Sequence, residues 1–250
     1  MKIERGRWVS FQTADGHHAR GSVTASKGKT VRLVDSRGYR YTTSPGGRGR
    51  KIHLKSIRPV SMGVFVLDTQ LDKGWRSRRQ GARFWEEYCY HADSPSWDFG
   101  YERIHSLADL AYVLERRTIR EHVLIFNGHG STTKGWHLSN GDCFWPGAVG
   151  MDRLRVNEKN RHKVVLFSAC DLGKNAELMK WYRKTLGADA VVAYAGNMMD
   201  GICFLVEAAL LQLIYSGHSP KDAVRRVRRS FDAWKGTNQK WSRSIPITVW

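Results

Sequence analysis

Only four cysteines occur in the 250 residues, Cys89, Cys143, Cys170 and Cys203, and no two stand in C-x-x-C spacing. That spacing excludes the common structural zinc signatures. A chain long enough to bury a core does not depend on a disulfide framework, so a reduced, cytoplasmic setting is the expectation. The ten histidines are scattered, with His17-His18 the sole adjacent pair, and the acidic residues fall in no recognisable metal spacing, so neither metal nor cofactor is expected. No apolar run reaches the roughly 18 to 20 residues needed to span a bilayer. The longest, Ile202 to Tyr215, is interrupted by Glu207 and Gln212 and reads as a buried helix. The charged start Met1-Lys2-Ile3-Glu4-Arg5 has no apolar stretch behind it, which argues against a secretory signal and leaves no membrane partner to expect. Internal repeats are absent. Acid is the most unevenly scarce component: residues 1–60 hold 3 Asp/Glu against 14 Lys/Arg, and the remaining 190 residues hold 20 against 27.

What is present is an ordinary globular composition, 41% hydrophobic and 26% charged, with a formal charge of +18. The basic excess of the first 60 residues attracts polyanions, so nucleic acid or an acidic partner is expected there. A solvated basic face that aids solubility accounts for the same charge. In this segment "GRWVSFQ", "HARGSVT", "KTVRLVD", "YRYTT" and "KIHLKSI" read as five short strands. Ala14-Asp15-Gly16, Ser26-Lys27-Gly28, Ser36-Arg37-Gly38 and Pro45-Gly46-Gly47 separate them as turns. That pattern predicts a small all-β, SH3-like barrel over 1–60, with a boundary near Arg58-Pro59.

From residue 61 to 250 strand and helix patterns alternate, which predicts an α/β domain with a mainly parallel sheet flanked by helices. "GVFVLD" (63–68), "YERIHS" (101–106), "HVLIFNGHG" (122–130), "KVVLFSAC" (163–170) and "ADAVVAYAG" (188–196) read as strands, and "WHLSNGDCFW" (136–145) as a hairpin turning at Asn140-Gly141. Helices are expected over 77–90, over 107–117, at "AELMKWYRKTL" closed by Gly187, over 201–215 and after Ser219-Pro220. The last would turn Ala223, Val224, Val227, Phe231 and Trp234 inward and Arg225, Arg226, Arg228 and Arg229 outward.

Two of these strands end in chemically capable residues: Asn127-Gly128-His129-Gly130, and Ser168-Ala169-Cys170-Asp171. The carboxyl ends of parallel strands share one sheet edge, where sites form, so His129 and Cys170 are expected as neighbours. A thiol is mostly protonated at neutral pH. An imidazole beside it can take its proton and later protonate a leaving amine. Gly130 has no side chain to keep a substrate carbonyl from its N–H, which with that of Cys170 would make an oxyanion hole. Asn127 and Asp171 read as residues that shape turns.

On these residues, "LIFNGHGS" and "VVLFSACDLG", the stretch from about 63 to 234 resembles the caspase-like cysteine peptidases, the group of caspases, metacaspases, gingipain-type enzymes and bacterial CHAT peptidases. "GWHLSNGDCF", "MDRL" and "ADAVVAYAGNMMD" look like the hairpin, short helix and following strand of CHAT domains. The resemblance implies an intracellular cysteine endopeptidase with a Cys-His dyad, His129 as catalytic histidine, Cys170 as nucleophile, and Gly130 and Cys170 as oxyanion donors. It implies a protein substrate, and regulated proteolysis of the kind that serves bacterial defence. An activating protease or regulatory protein would then be a partner, with "KGWRSRRQGAR" (73–83) and "SPGGRGRK" (44–51) as candidate processing sites. The position two before the nucleophile often carries a specificity residue in this group. Here it is the small, neutral Ser168, so no preference can be copied from it. Asp200 looks like the acid that basic-specific metacaspases place in the substrate pocket, which implies cleavage after Arg or Lys, with Asp171 next in line. Asp200 as the cap of the following helix accounts for the same residue. The rival class is a nucleic-acid-binding protein on a catalytically inactive caspase-like scaffold. A metal-dependent nuclease fits poorly because the acids do not cluster.

Overall fold

A computed structural model describes residues 3, 5, 7–35, 37–69, 81–91, 97–198, 200–231 and 245–250. The N-terminal sheet contains β1 (Trp8–Gln12), β2 (His18–Lys27), β3 (Thr30–Val34), β4 (Arg40–Thr42), β5 (Arg50–Lys51) and β6 (Arg58–Pro59), in the order β5-β4-β3-β2-β1-β6. An isolated bridge between Thr13 and Ile52 draws the two ends of this sheet together. Alternation makes the core: Val9, Phe11, Val23, Val31, Leu33, Tyr41, Ile52 and Ile57 point inward, as period-2 patterning requires. The fifth predicted strand is shorter than "KIHLKSI" suggested. Only Arg50–Lys51 form a strand, Ile52 adds the single bridge to Thr13, and Leu54–Ser56 form a 3₁₀ turn before β6.

The second sheet contains β7 (Ser61–Asp68), β8 (Asp98–Arg103), β9 (Glu121–Asn127), β13 (Val164–Ser168), β14 (Ala190–Tyr194) and β15 (Ile247–Val249), in the order β15-β14-β13-β9-β7-β8. Every pairing in it is parallel except β14 with the edge strand β15. Its central strands are buried on both faces, which explains their near-continuous apolar runs. Phe65, Leu67, Leu124, Phe126, Val165, Phe167, Val191 and Ala193 face one core with α2 (Leu107–Arg116) and α3 (Ala176–Leu186). Val64, Val66, Val123, Ile125, Val164, Leu166, Val192 and Tyr194 face the other, with α1 (Gly81–His91), α4 (Asp200–Tyr215) and α5 (Pro220–Ser230). A three-stranded insert, β10 (Gly130–Ser131), β11 (Gly135–His137) and β12 (Cys143–Phe144), lies between β9 and β13 in the chain and packs Trp136 and Phe144 into the first core.

Local chemistry sets the helix ends. Ser106 and Asp109 form a capping box on α2. Asn175 caps α3, and Gly187 closes it in the left-handed conformation expected from the sequence. Ser219 caps α5, with Pro220 at its first turn. The inward and outward faces of α5 fall as expected, with Trp234 outside the described residues. Strand β8 sits three residues earlier than "YERIHS" suggested, and α1 is described from Gly81. None of the described helices is long and apolar enough to cross a membrane.

Candidate active site at the carboxyl edge of the sheet

Strands β9 and β13 run parallel with Ser168 opposite Asn127. Two residues beyond that pair, the chain leaves both strands at the same level, and those residues are His129 and Cys170. The sheet therefore carries the two to one edge although 41 positions separate them. The N–H of Gly128 donates to the Ser168 carbonyl at 3.2 Å and ties the two exits together. Gly130 lies against the backbone of Cys170: a Cβ placed on it would stand 2.9 Å from the Cys170 carbonyl oxygen and 2.7 Å from Leu172 Cγ. Any side chain there would push the two segments apart.

Each side chain is positioned by its turn. His129 is exposed, and its carbonyl accepts from the N–H of His137 at 2.9 Å, which fastens the histidine turn to β11. His137 in turn has Ser131 Oγ 3.2 Å from Nε2. Burial, with the charges of His129 and Lys134 behind it, lowers the pKa of His137 below the ordinary imidazole value. Cys170 is half-buried at the end of β13. The N–H of Met198, in the loop after β14, donates to its sulfur at 3.4 Å. That loop is held on the Cys170 turn by a second bond, from the N–H of Asp171 to the Gly196 carbonyl at 3.3 Å. The N–H of Cys170 makes no backbone hydrogen bond among the described residues.

The remaining sequence-predicted residues divide. Ser168 is buried within β13. Asp171 adopts a left-handed conformation (φ 64°), and its carboxylate lies 2.5 Å from Lys174 Nζ, so its charge is already countered. Asp200 is the first residue of α4, and its side chain lies outside the described residues. Residues 73–80 of the first candidate processing stretch lie outside them too, while 81–83 open α1. The second stretch, 44–51, is a compact turn in which Lys51 Nζ donates to the carbonyls of Ser44 (2.8 Å) and Gly47 (2.9 Å).

Beside His129 and Cys170 the structure shows a pair that sequence reasoning did not reach. Asn127 Nδ2 donates to Asp68 Oδ1 at 2.7 Å, and the N–H of Ala82 donates to Asp68 Oδ2 at 3.3 Å. Both side chains are buried. Burial raises the Asp68 pKa above the ordinary carboxyl value, against the lowering effect of those two donors. The pair joins the ends of β7 and β9 to the start of α1, one strand away from Cys170. The available sign was an acid closing the apolar run "GVFVLD" at the edge where sites form. No group of three or more His, Cys, Asp or Glu that could hold a metal occurs among the described residues. No protein-family model matches the chain, and no curated protein matches it.

Proposed function

We propose that the chain is a caspase-like cysteine endopeptidase, residues 61–250 forming the peptidase domain and residues 1–60 an SH3-like barrel. The observation that carries this reading is the register of β9 and β13, which brings His129 and Cys170 to one edge with Gly130 pressed against the nucleophile turn. In the proposed reaction Cys170 Sγ loses its proton to the His129 imidazole and attacks the scissile carbonyl carbon. The carbonyl oxygen takes up negative charge and accepts from the N–H groups of Gly130 and Cys170. The C–N bond breaks as His129 returns the proton to the leaving amine, leaving a thioester on Cys170. Water, deprotonated by His129, then hydrolyses the thioester and restores the thiol. Neither metal nor cofactor enters this scheme. Four free thiols fit the reducing cytoplasm proposed as its setting.

Specificity for Arg or Lys is proposed to rest on Asp200, since the loop that leads to it also reaches the nucleophile through Met198. The test is labelling of the intact protein with a thiol-reactive peptide probe, wild type beside Cys170→Ala, followed by mapping of cleavage sites in a proteome digest. Labelling confined to Cys170, and cleavage lost with it, is the expected result. A well-folded wild-type protein that neither reacts nor cleaves would leave the inactive-scaffold reading in its place. The regulated, defence-type role carried by the family resemblance predicts that the intact chain gains activity on processing or on binding a regulator.

A further inference from the structure

The N-terminal sheet has a rigid turn that displays an aromatic ring between basic side chains. Asp35, just beyond β3, is buried. Its Oδ1 accepts from the N–H groups of Arg37 (3.0 Å) and Tyr39 (2.8 Å), and its Oδ2 from the Tyr41 hydroxyl (2.9 Å). Backbone bonds from Asp35 N–H to the Tyr39 carbonyl and from Gly38 N–H to the Asp35 carbonyl, each 3.0 Å, close the same turn, with Gly38 at φ 86°. An aspartate that bonds its own following backbone fixes a turn in advance of any ligand. The turn holds Tyr39 outward, 45% exposed. The Arg50 guanidinium carbon, carried by β5, lies 4.2 Å from the Tyr39 ring centroid, and that of Arg37 lies 5.3 Å away.

Contact with a ring face orients a guanidinium without using its N–H donors. The Arg50 guanidinium makes no hydrogen bond among the described residues, so its donors face solvent. Arg40 and Arg48 are exposed nearby in the chain. Arg32 shares the outer face of β3–β4 with Arg40, because Arg40 pairs with Val34, two residues along from Arg32. The opposing charge in the first 60 residues is sparse. Of the three acids in residues 1–60, Asp35 is held inside the turn with its Oδ2 also 3.5 Å from Arg37 Nη2, Glu4 lies outside the described residues, and Asp15 stands at the surface beside His17. Asp222 of α5, which lines a pocket with Arg37 and Gly38, is paired with Arg225, so Arg50 is the guanidinium of the platform that makes no ion pair among the described residues.

We propose that Tyr39, Arg37 and Arg50 form the centre of a binding site for single-stranded nucleic acid, with phosphates on the guanidiniums and a base stacked on the tyrosine–arginine platform. The charge alone suits any polyanion, but the ring selects among them. A carboxylate-rich peptide has no flat group to stack, and the bases of a duplex are already stacked on each other, whereas unpaired bases use such platforms. Arg32, Arg40 and Arg48 would extend the phosphate track away from it. This inference is independent of the peptidase chemistry.

The test is fluorescence anisotropy of the full-length Cys170→Ala protein with labelled 20-nucleotide single strands, one DNA and one RNA, from 50 to 200 mM salt. Binding of either strand, weakening linearly in log salt, is expected; the stronger arm names the sugar. Tyr39→Ala should lower affinity roughly fivefold to a hundredfold, and Tyr39→Phe should leave it near wild type. Arg50→Ala should flatten the log–log salt slope by roughly 0.7 to 1. Absence of binding at 50 mM salt overturns the proposal. So does equal or tighter binding of poly-glutamate or of a duplex, or unchanged affinity in folded Tyr39→Ala and Arg50→Ala proteins. Neither side chain is part of the core, so circular dichroism suffices to show that both variants fold.

Discussion

The two ends of the parallel sheet carry polar groups of similar kinds and put them to opposite uses. At the amino end, where β9, β13 and β14 begin, Arg20, Glu121, His122, Lys163 and Asp189 are buried under the N-terminal sheet. Lys163 Nζ donates to the carbonyls of Ile119 (3.0 Å) and Glu121 (2.5 Å). Arg20, reaching across from β2, donates to the carbonyls of Glu121 and Lys159. Trp8 lies 4.1 Å from the His122 ring centroid, and its Nε1–H donates to the Ile214 carbonyl at 2.8 Å. Burial pushes the pKa values of His122 and Lys163 well below their ordinary values, with nearby positive charge adding to it. At the carboxyl end His129 is exposed and Cys170 is half-buried, while Asp68, Thr69, Asn127 and Ser168 are sealed. A strongly shifted titratable group is commonly read as the mark of a site. In this fold the shifts of His122 and Lys163 lie at the closed end and accompany docking between two sheets, and the raised Tyr194 at the end of β14 is likewise a product of burial. Chemistry has to be sought where the backbone exits and the groups meet solvent.

If that division is right, substitutions at the two ends should separate activity from stability. Cys170→Ala removes one sulfur atom from a half-buried position, so peptide cleavage should fall roughly a thousandfold or more with little change in the urea midpoint. His129→Ala should lose most activity as well. Cleavage retained by a folded Cys170→Ala protein would refute the nucleophile assignment. The mirror experiment is Trp8→Ala. Truncating a buried tryptophan costs about 3–5 kcal/mol, and here the Ile214 carbonyl loses one of its two donors, keeping the Gly217 N–H. Urea unfolding should show that loss, while the activity of the remaining folded protein stays at the wild-type level. An unchanged midpoint would mean that the amino end is not held by the docked sheet.

How much of this was legible in the sequence follows from how local each determinant is. "VVLFS" reads as a strand because burial on both faces leaves an unbroken apolar run, and α3 and α5 announce themselves through Gly187, Ser219 and Pro220. Edge strand β15 does not, since Ile247-Thr248-Val249 is three residues long and shows no period. His129 and Cys170 were legible because each ends such a run. The Asp68–Asn127 pair joins residues 59 apart, and neither side chain names the other. The Met198 donor on Cys170 is a backbone N–H, which leaves no mark on residue identity. Lys163 heads "KVVLFSAC" as if it were a solvent-facing end, yet it is buried with its ammonium on the Ile119 and Glu121 carbonyls and the charge of Arg20 arriving from another sheet.

The carboxyl end should also set specificity. Peptides with Arg or Lys before the scissile bond should be cleaved in preference to those with Asp or small apolar residues, and Asp200→Ala should lower kcat/KM for the basic peptides about ten- to a hundredfold, as loss of a charge-assisted contact implies. A P1-varied peptide library reads both effects. Preference for Asp or small residues would remove the basic pocket. Preference for Arg that survives Asp200→Ala would move the charge to Asp171, which would then have to leave Lys174.

The smallest effect belongs to the closed end and concerns pH. His122 is fully buried, with its ring nitrogens making no hydrogen bond among the described residues and with Arg20 and Lys163 as its positive neighbours. It therefore stays neutral in the folded chain at pH values where an unfolded histidine, near 6.5, takes up a proton. The folded-state pKa is the depressed one, so the unfolded state binds the proton first on acidification. The stability that His122 contributes is complete above about pH 6.5 and is lost as pH falls below it, with a limiting slope of about 1.4 kcal/mol per pH unit. Phenylalanine keeps the ring beside Trp8 and removes the titration. Between pH 7.5 and 5.5, wild-type unfolding free energy should therefore drop by about 1.4 kcal/mol more than that of His122→Phe. Urea titrations of both proteins at the two pH values measure this. Equal drops would mean that the imidazole gains a proton without unfolding, and that the amino end of the sheet admits water after all.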